Sequence, residues 1–322
     1  MNGNNIAVSV EKLEKKFGDF TAVNKIYFQV KRGEIFGFLG PNGAGKSTTI
    51  RMLCGILAPT SGTGRVGGYD INRKQELIKQ NIGYMSQKFS LYEDLTVEEN
   101  IDFYSGIYKV PKEKRKERKE WVIRMAGIGA FRSNLTSTLA GGWKQRLALG
   151  CAIIHEPRII FLDEPTSGVD PIARNNFWSL IKEMASNGVT VFVTTHYMDE
   201  AENCNRLALI YKGDIIAMGK PSELKVECMK EDVLKISVPD PEAWIDEFSK
   251  LESVKEVALF GNALHAIVKN APQAMNIITE IFAQEGRKDY SIEKIQASLE
   301  DVFVSLIESY DKGGGSCEPQ KS

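Results

Sequence analysis

The sequence of 322 residues lacks several features that would place it in a class at once. No apolar run approaches the roughly 18 residues of a membrane-spanning helix, and Met1–Asn5 has neither the basic nor the apolar region of a signal peptide. Lys and Arg total 41 and Asp and Glu total 42, so the formal net charge of −1 gives no general attraction to nucleic acid or to an anionic membrane. We therefore expect a soluble protein without a nucleic-acid partner, whose membrane role, if any, comes through another chain.

Cysteine and histidine are sparse. The cysteines are five, an odd number, with no Cys-x-x-Cys pair and no histidine at metal-ligand spacing. Such a pattern is typical of reduced thiols in a cytosolic protein. We expect this state for all of them: Cys54, Cys151, Cys204, Cys228 and Cys317. What the chain does have is length enough for two domains and 43% hydrophobic residues to build their cores.

The glycine-rich segment Gly40–Ser47 is the most informative part of the chain. It follows the apolar run Ile35–Leu39 and precedes a helix-like segment that begins at Thr48. Glycines let several backbone N–H groups converge on a polyphosphate, Lys46 adds a positive charge for the β- and γ-phosphates, and the Ser47 hydroxyl can ligate Mg²⁺. The N-terminus of the following helix favours the same anion. The segment predicts a phosphate-binding loop for a nucleotide with Mg²⁺.

A second signature is the apolar segment that starts at Arg158 and ends in Asp163 and Glu164. An apolar run of this kind predicts a buried parallel strand, and the carboxyl end of such a strand is where α/β sheets present functional side chains. Asp163 would bind Mg²⁺, directly or through water, and Glu164 would be the general base or would position water beside the γ-phosphate. Taken alone, two acids at a strand end could equally cap the next element. Their occurrence downstream of the phosphate loop favours the nucleotide site.

Further motifs follow in a fixed order, and with them the chain resembles the nucleotide-binding subunit of an ATP-binding cassette (ABC) transporter. Gln87 stands where this family has its Q-loop glutamine. Leu139–Arg146 resembles the signature motif, which closes over the ATP of the opposite subunit, and Pro165–Asp170 resembles the D-loop. His196 is similar in position to the switch histidine that contacts the γ-phosphate, and Phe17 lies where the family stacks an aromatic ring on adenine.

The resemblance implies a MgATP site and assigns its residues. The residues implied in ATP binding are Phe17, Gly40, Asn42, Gly43, Ala44, Gly45, Lys46, Ser47, Thr48 and Gln87. The residues implied in Mg²⁺ binding are Ser47, Gln87 and Asp163, and those implied in catalysis are Glu164 and His196. The residues implied to act on the partner subunit's nucleotide are Ala140, Gly141, Gly142 and Asp170. As isolated residues, His196 and Phe17 could each simply be packed in a core, so their assignment depends on the resemblance.

The signature motif departs from the family's commonest form, Leu-Ser-Gly-Gly-Gln, at Ala140 and Trp143. In the family the serine hydroxyl donates to the γ-phosphate across the dimer, and Ala140 has no hydroxyl. Because a hydrogen bond to a charged group contributes roughly 1.5–3 kcal/mol, we expect a functional but less tightly closed site. The N–H groups of Gly141 and Gly142 and the N-terminus of the helix that follows remain to favour an anion. This form of the motif looks like that of bacterial drug and sodium exporters.

The pattern of elements predicts one cassette and one accessory domain. The fold class expected is α/β: a P-loop NTPase (ABC ATPase) domain over residues 1–228 with a helical subdomain at about 89–140. Residues 229–310 show the order β-α-β-β-α-β of a small ferredoxin-like α+β domain. In the family such a domain implies regulation or dimer support, although it could also only cover apolar surface. We expect the tail, residues 311–322, to be disordered.

These features predict an ATPase with ATP and Mg²⁺ as cofactors. The resemblance implies a head-to-tail dimer with a second ABC ATP-binding subunit that drives a separate transmembrane permease at the cytoplasmic face of the inner membrane, and subfamily likeness favours export. The alternative is a soluble ABC ATPase acting on ribosomes or DNA. The single phosphate loop argues against the translation type, and the short interval from Lys46 to Ala140 argues against the coiled-coil repair type. A third interpretation, a kinase or GTPase, would leave the signature motif and His196 unexplained. The sequence does not reveal which compound is transported.

Overall fold

The computed structural model describes residues 5–88, 90–229, 231–313 and 317, and the chain falls into two compact units, Met1–Ile215 and Ile216–Ser322. The boundary lies within a strand, ahead of the domain boundary expected after residue 228. A physical reason is that the helix at residues 221–227 packs on the last helix of the chain and so groups with the second unit.

The first unit contains two sheets. Its strands are β1 (Ile6–Phe17), β2 (Phe20–Lys31), β3 (Ile35–Leu39), β4 (Ser61–Val66), β5 (Tyr69–Asp70), β6 (Ile82–Met85), β7 (Ile159–Asp163), β8 (Thr190–Thr195), β9 (Arg206–Tyr211) and the start of β10 (Asp214–Gly219), the strand in which the boundary lies. Its helices are α1 (Lys46–Leu53), α2 (Gln75–Asn81), α3 (Val97–Ile107), α4 (Lys112–Ala126), α5 (Gly141–Ala152), α6 (Pro171–Ser186) and α7 (Met198–Ala201). One sheet has the order β2-β1-β4-β5 and is antiparallel.

The second sheet positions the site. Its order is β10-β9-β3-β8-β7-β6, and the pairs β9–β3, β3–β8, β8–β7 and β7–β6 are parallel. Every residue of β3, β7 and β8 is buried, which explains the apolar sequences of β3 and of β7 up to Leu162 and the apolar centre of β8. Because parallel strands end at the same edge, the segments that follow these three strands are brought together there.

Helices α3, α4 and α5 form a separate apolar core within the first unit, which includes Val97, Val122 and Leu147. Helix α3 begins at a capping box, in which the Thr96 hydroxyl accepts from the Glu99 N–H and the Glu99 carboxylate accepts from the Thr96 N–H. These helices occupy the region where the sequence predicts a helical subdomain, and α5, which carries the expected signature motif, packs against both α3 and α4.

The second unit is an antiparallel sheet with helices. After helix α8 (Pro221–Glu227), its elements are β11 (Asp232–Ser237), α9 (Ile245–Phe248), β12 (Val254–Phe260), β13 (Ala263–Val268), α10 (Ala271–Gln284), β14 (Ser291–Ile295) and α11 (Leu299–Asp311). The sheet order is β12-β13-β11-β14, and every pair is antiparallel. Phe248 and Phe282 are fully buried in its core and meet edge to face.

The expectation that every cysteine is a reduced thiol is wrong for two of them. Cys228 and Cys317 form a disulfide, whereas Cys54, Cys151 and Cys204 are free and buried. The two bonded cysteines are 89 residues apart, and the fold of the second unit brings its two ends together, which spacing along the sequence does not reveal.

The expected disordered tail, residues 311–322, is therefore in part ordered. Asp311 ends α11, and the Cys317 N–H donates to the carbonyl oxygen of Ile216 at 2.8 Å. Residues 314–316 and 318–322 lie outside the described residues.

Thiol titration of the unfolded chain tests this disulfide. We expect three reactive thiols without reductant and five after reduction, because only Cys54, Cys151 and Cys204 are free. A loop of this length contributes roughly 4–5 kcal/mol in the chain-entropy model, so reduction should lower the urea midpoint of the second unit. In Cys317→Ser, reductant should change neither the thiol count nor the midpoint. Five thiols before reduction would contradict the bond.

Candidate functional site

The loop between β3 and α1 is closely packed against its neighbours. Gly43 and Gly45 have φ angles of 81° and 109°, in the left-handed region that favours glycine. A Cβ at Gly45 would lie 2.4 Å from the carbonyl oxygen of Ala22, and one at Gly40 would lie 2.2 Å from that of Ile210. At Gly40 and Gly45 the backbone therefore runs where a side chain cannot fit, and the loop leads directly into the first turn of α1.

Lys46 is buried at the start of α1. Its Nζ donates to the carbonyl oxygens of Gly40 at 2.7 Å and Pro41 at 3.1 Å. The same nitrogen lies 3.0 Å from Oε1 of Glu164, and both side chains are at most 5% exposed. The loop thus holds a desolvated ammonium against a desolvated carboxylate.

The Glu164 carboxylate joins four segments that are remote in sequence. Its Oε1 pairs with Lys46, while its Oε2 accepts from Gln87 Nε2 at 3.0 Å and lies 3.2 Å from His196 Nδ1. The residue has a φ of 46°, which is uncommon outside glycine and occurs where the surroundings impose it. Lys46, Gln87, Glu164 and His196, all predicted from the sequence, therefore meet at one group, which we call the Glu164 cluster.

Asp163 lies beside this cluster with a different set of partners. Its Oδ1 accepts from Ser47 Oγ at 2.9 Å and from Thr194 Oγ1 at 2.8 Å. Burial raises the pKa of Asp163 above its usual value, while the hydrogen bonds from Thr194 and Ser47 oppose this shift. The carboxylate is thus anchored at the end of β7, facing the first turn of α1.

These groups fit a Mg²⁺ ion that arrives with a nucleotide. Ser47, Asp163 and Gln87 supply oxygen donors, the atoms that Mg²⁺ prefers. Across the described residues, no group of three or more His, Cys, Asp or Glu could hold a metal by itself. Mg²⁺ in nucleotide sites is usually held by one or two carboxylates together with water and phosphates, so such a group is not required.

Sequence reasoning missed Thr194. Its hydroxyl donates to Asp163 and accepts from the backbone N–H of Glu164 at 3.0 Å, so one buried side chain orients both acids. The signal available was a hydroxyl near the carboxyl end of a fully buried strand, two residues before His196. It could have been used only with the pairing of β7 and β8, which sets Asp163 opposite Thr194.

The residues predicted to act on the partner subunit's nucleotide have other contacts. Asp170 caps α6 by accepting from the N–H groups of Ile172 and Ala173, and Ala140 stands at the N-cap position of α5 without a side-chain bond. In the described part of the chain, no hydrogen bond or ion pair links the cluster to the set Ala140, Gly141, Gly142 and Asp170.

Phe17 and His196 are not core residues. The Phe17 ring is 49% exposed at the end of β1, with Lys15 Nζ at 5.1 Å from its centroid. The His196 side chain is 29% exposed. Both rings are thus open to a ligand on one side.

Comparison with known proteins agrees with this geometry. Residues 23–167 match the family model described as ABC transporter. Over 304 residues the chain is 33% identical to the linearmycin resistance ATP-binding protein LnrL of Bacillus subtilis (strain 168), which covers 93% of this chain and 97% of LnrL. The chain belongs to the ABC transporter family, as an ATP-binding subunit.

A second relative is more similar but longer. Over 234 residues the chain is 50% identical to a protein named "Probable multidrug ABC transporter ATP-binding protein YbhF" of Escherichia coli (strain K12), which covers 73% of this chain and 40% of the relative. The ABC chain described here thus spans about two fifths of the length of YbhF. Substrates and partners are therefore not transferred from it as findings.

A solved structure confirms the predicted ABC ATPase fold of the first unit. It is the dimeric post-hydrolysis state of the ATP-binding cassette MJ0796 bound to ADP and Pi, with a TM-score of 0.61 and 27% identity over 66% of this chain and 98% of that chain. Among the described residues of the ABC subunit, none of the helices has both the length and the hydropathy needed to cross a bilayer.

Replacing Thr194 by Val removes the hydroxyl while nearly keeping the volume. We expect ATP hydrolysis to fall by roughly 10- to 150-fold, since one hydrogen bond to a charged group contributes about 1.5–3 kcal/mol. Thr190→Val is the matched control, because that buried hydroxyl on the same strand accepts from the Gly33 N–H, away from the cluster. The checks are kcat and the Mg²⁺ dependence of hydrolysis. Equal rates of ATP hydrolysis in the two variants would show that the Thr194 hydroxyl does not contribute to the site.

Proposed function

We propose that this chain is the ATP-hydrolysing subunit of an exporter and that it drives a separate transmembrane permease. The Glu164 cluster is the observation that carries the proposal, because it brings a phosphate-loop lysine, a carboxamide and an imidazole each within 3.2 Å of an oxygen of one carboxylate. Multidrug and linearmycin-resistance proteins among the relatives support export. The alternative remains a soluble ABC ATPase that acts on ribosomes or DNA.

In the proposed reaction the loop backbone and Lys46 hold the β- and γ-phosphates of ATP, and Phe17 stacks on adenine. Bound Mg²⁺ would neutralise charge on those phosphates. Lys46 then exchanges one anionic partner for another, so Oε1 of Glu164 is released towards the attacking water. Gln87 and His196 keep hold of Oε2 and orient the carboxylate as it accepts the proton.

The working unit we propose is a head-to-tail dimer with a second ABC subunit, identical or not. In one chain the signature glycines and Asp170 do not reach the Glu164 cluster, and the MJ0796 cassette forms a dimer. The N-terminus of the twelve-residue helix α5 would face the partner's γ-phosphate. Ala140 offers no hydroxyl there, so closure depends on the N–H groups of Gly141 and Gly142.

We propose that the permease docks on an apolar patch of the helical region, Tyr92, Phe103 and Ile107. These side chains are 45%, 38% and 59% exposed, and the rings of Tyr92 and Phe103 meet edge to face at 4.6 Å. The patch follows Gln87 in the chain, which supports a route from the nucleotide to the membrane partner. The chain would then lie at the cytoplasmic face of the inner membrane, held by the permease. The second unit would regulate turnover or support the dimer.

Glu164→Gln tests the catalytic assignment. ATP should still bind, at least as tightly as to wild type because its phosphates replace the lost partner of Lys46. Hydrolysis should fall roughly 10²- to 10⁴-fold because the amide cannot accept the proton. Glu76→Gln, at an exposed residue of α2, is the control and should hydrolyse ATP normally. Normal turnover in the Glu164 variant would refute the assignment.

Affinity purification from the native host tests the transporter role. We expect a tagged full chain, gently solubilised, to recover a polytopic membrane protein, and Phe103→Asp to lose it while keeping ATPase activity. Recovery with ribosomes would favour the soluble alternative, and recovery of the chain alone would count against a stable permease complex.

A further inference from the structure

The first unit has a cavity of about 590 Å³ whose lining includes no residue of the Glu164 cluster. It opens between α4, the segment Glu156–Arg158 that enters β7, and the turn 187–190 that enters β8. Acids and His196 follow the carboxyl ends of β7 and β8, whereas this cavity lies at the amino ends of the same strands. It is therefore at the opposite edge of the sheet from the Glu164 cluster.

The charged residues of the lining are mostly basic. They are Arg32, Arg118 and Arg158 against one acid, Glu156. That acid is already paired, since Arg118 Nη1 donates to its Oε1 at 2.9 Å. In a chain whose formal net charge is −1, this lining is locally positive. A cavity with an excess of guanidinium groups favours an anionic occupant.

Arg118 and Trp121 form a fixed wall of the cavity. Arg118 is 8% exposed and its Nε donates to the carbonyl oxygen of Ile154 at 3.0 Å. Its guanidinium lies 4.2 Å from the centroid of the Trp121 ring, which holds the indole in place. Met184 and Val189 add apolar surface to the same lining. A flat apolar group could pack against this wall without displacing a hydrogen-bonded side chain.

Arg158 supplies the available charge. It is exposed and makes no ion pair with any residue that the structure describes. Because it stands directly before β7, its backbone is fixed by the pairing of Ile159 with β6 and β8. An anion at the mouth of the cavity can therefore pair with Arg158 while its apolar body lies inside.

We propose that this cavity binds an organic anion with a flat apolar body. The body would pack on Trp121, Met184 and Val189, and the acidic group would face Arg158. The volume lies within the roughly 300–1,000 Å³ of small-molecule sites. Since the lining comes from both α4 and the sheet, the occupant would stabilise the packing of the helical region on the strands. The site does not depend on the proposed export function.

The test is a titration of the full chain with 8-anilino-1-naphthalenesulfonate, a flat aromatic anion, followed by quenching of tryptophan emission. We expect saturable binding at one site, with the quenching clearly smaller in Trp121→Phe, where the other three tryptophans remain. Arg158→Glu should weaken the affinity roughly tenfold or more, because a like charge then faces the sulfonate. Arg73→Glu, at an exposed arginine outside the cavity, is the matched control and should bind as wild type does.

Two further measurements distinguish this site from others. N-phenyl-1-naphthylamine, the uncharged analogue, should bind much more weakly, and MgATP should not displace the sulfonate, because the phosphate loop lies at the other edge of the sheet. Equal affinity in the two charge variants, unchanged quenching in Trp121→Phe, or displacement by MgATP would each overturn the proposal. Binding of MgATP by each variant verifies that the variant is folded. If the proposed export function proved wrong, these binding results would still stand.

Discussion

The contact between Lys46 and Glu164 is the interaction on which the site depends. Both groups are buried, so neither charge is solvated by water, and each is tolerated because the other lies 3.0 Å away. Two carbonyl oxygens also hold Lys46, and Gln87 and His196 also contact Glu164. The pair can form because β3 and β7 run parallel, with β8 between them, and end at the same edge.

The parts of the site that depend on local spacing could be predicted from the sequence. Gly40–Ser47 requires its glycines for the loop's own path, and Asp163 and Glu164 directly follow a buried strand, so each pattern is complete within a few residues. Gln87 has no such local signal and was assigned by resemblance alone, whereas His196 had, besides the resemblance, its position after the strand-like segment 189–195. The structure now gives them a shared physical basis, since both contact Glu164 Oε2.

The parts that depend on tertiary register could not be predicted. Thr194 orients both acids only because β7 and β8 pair in the register that sets it opposite Asp163. Cys228 and Cys317 were wrongly expected to be reduced. Cys228 directly follows α8 and Cys317 comes after α11, and only the fold of the whole second unit brings their Cα atoms to within 5.9 Å of each other. The pattern of residues along the chain shows neither the register of β7 and β8 nor the distance between these two Cα atoms. The same holds for the cavity beside Trp121, whose lining comes from segments far apart in sequence.

The buried pair also constrains how the proposed nucleotide can bind. Removing one partner from a buried ion pair leaves an uncompensated charge, which is strongly unfavourable, so Glu164 can leave Lys46 only when another anion replaces it. A phosphate chain that reaches Lys46 meets this condition, while water does not. Glu164 then keeps Gln87 and His196 as donors and retains its orientation as its Oε1 becomes available. If Glu164 is the proposed base, its carboxylate stays paired with Lys46 until a phosphate occupies the loop, which couples the base to the presence of ATP without any change of fold.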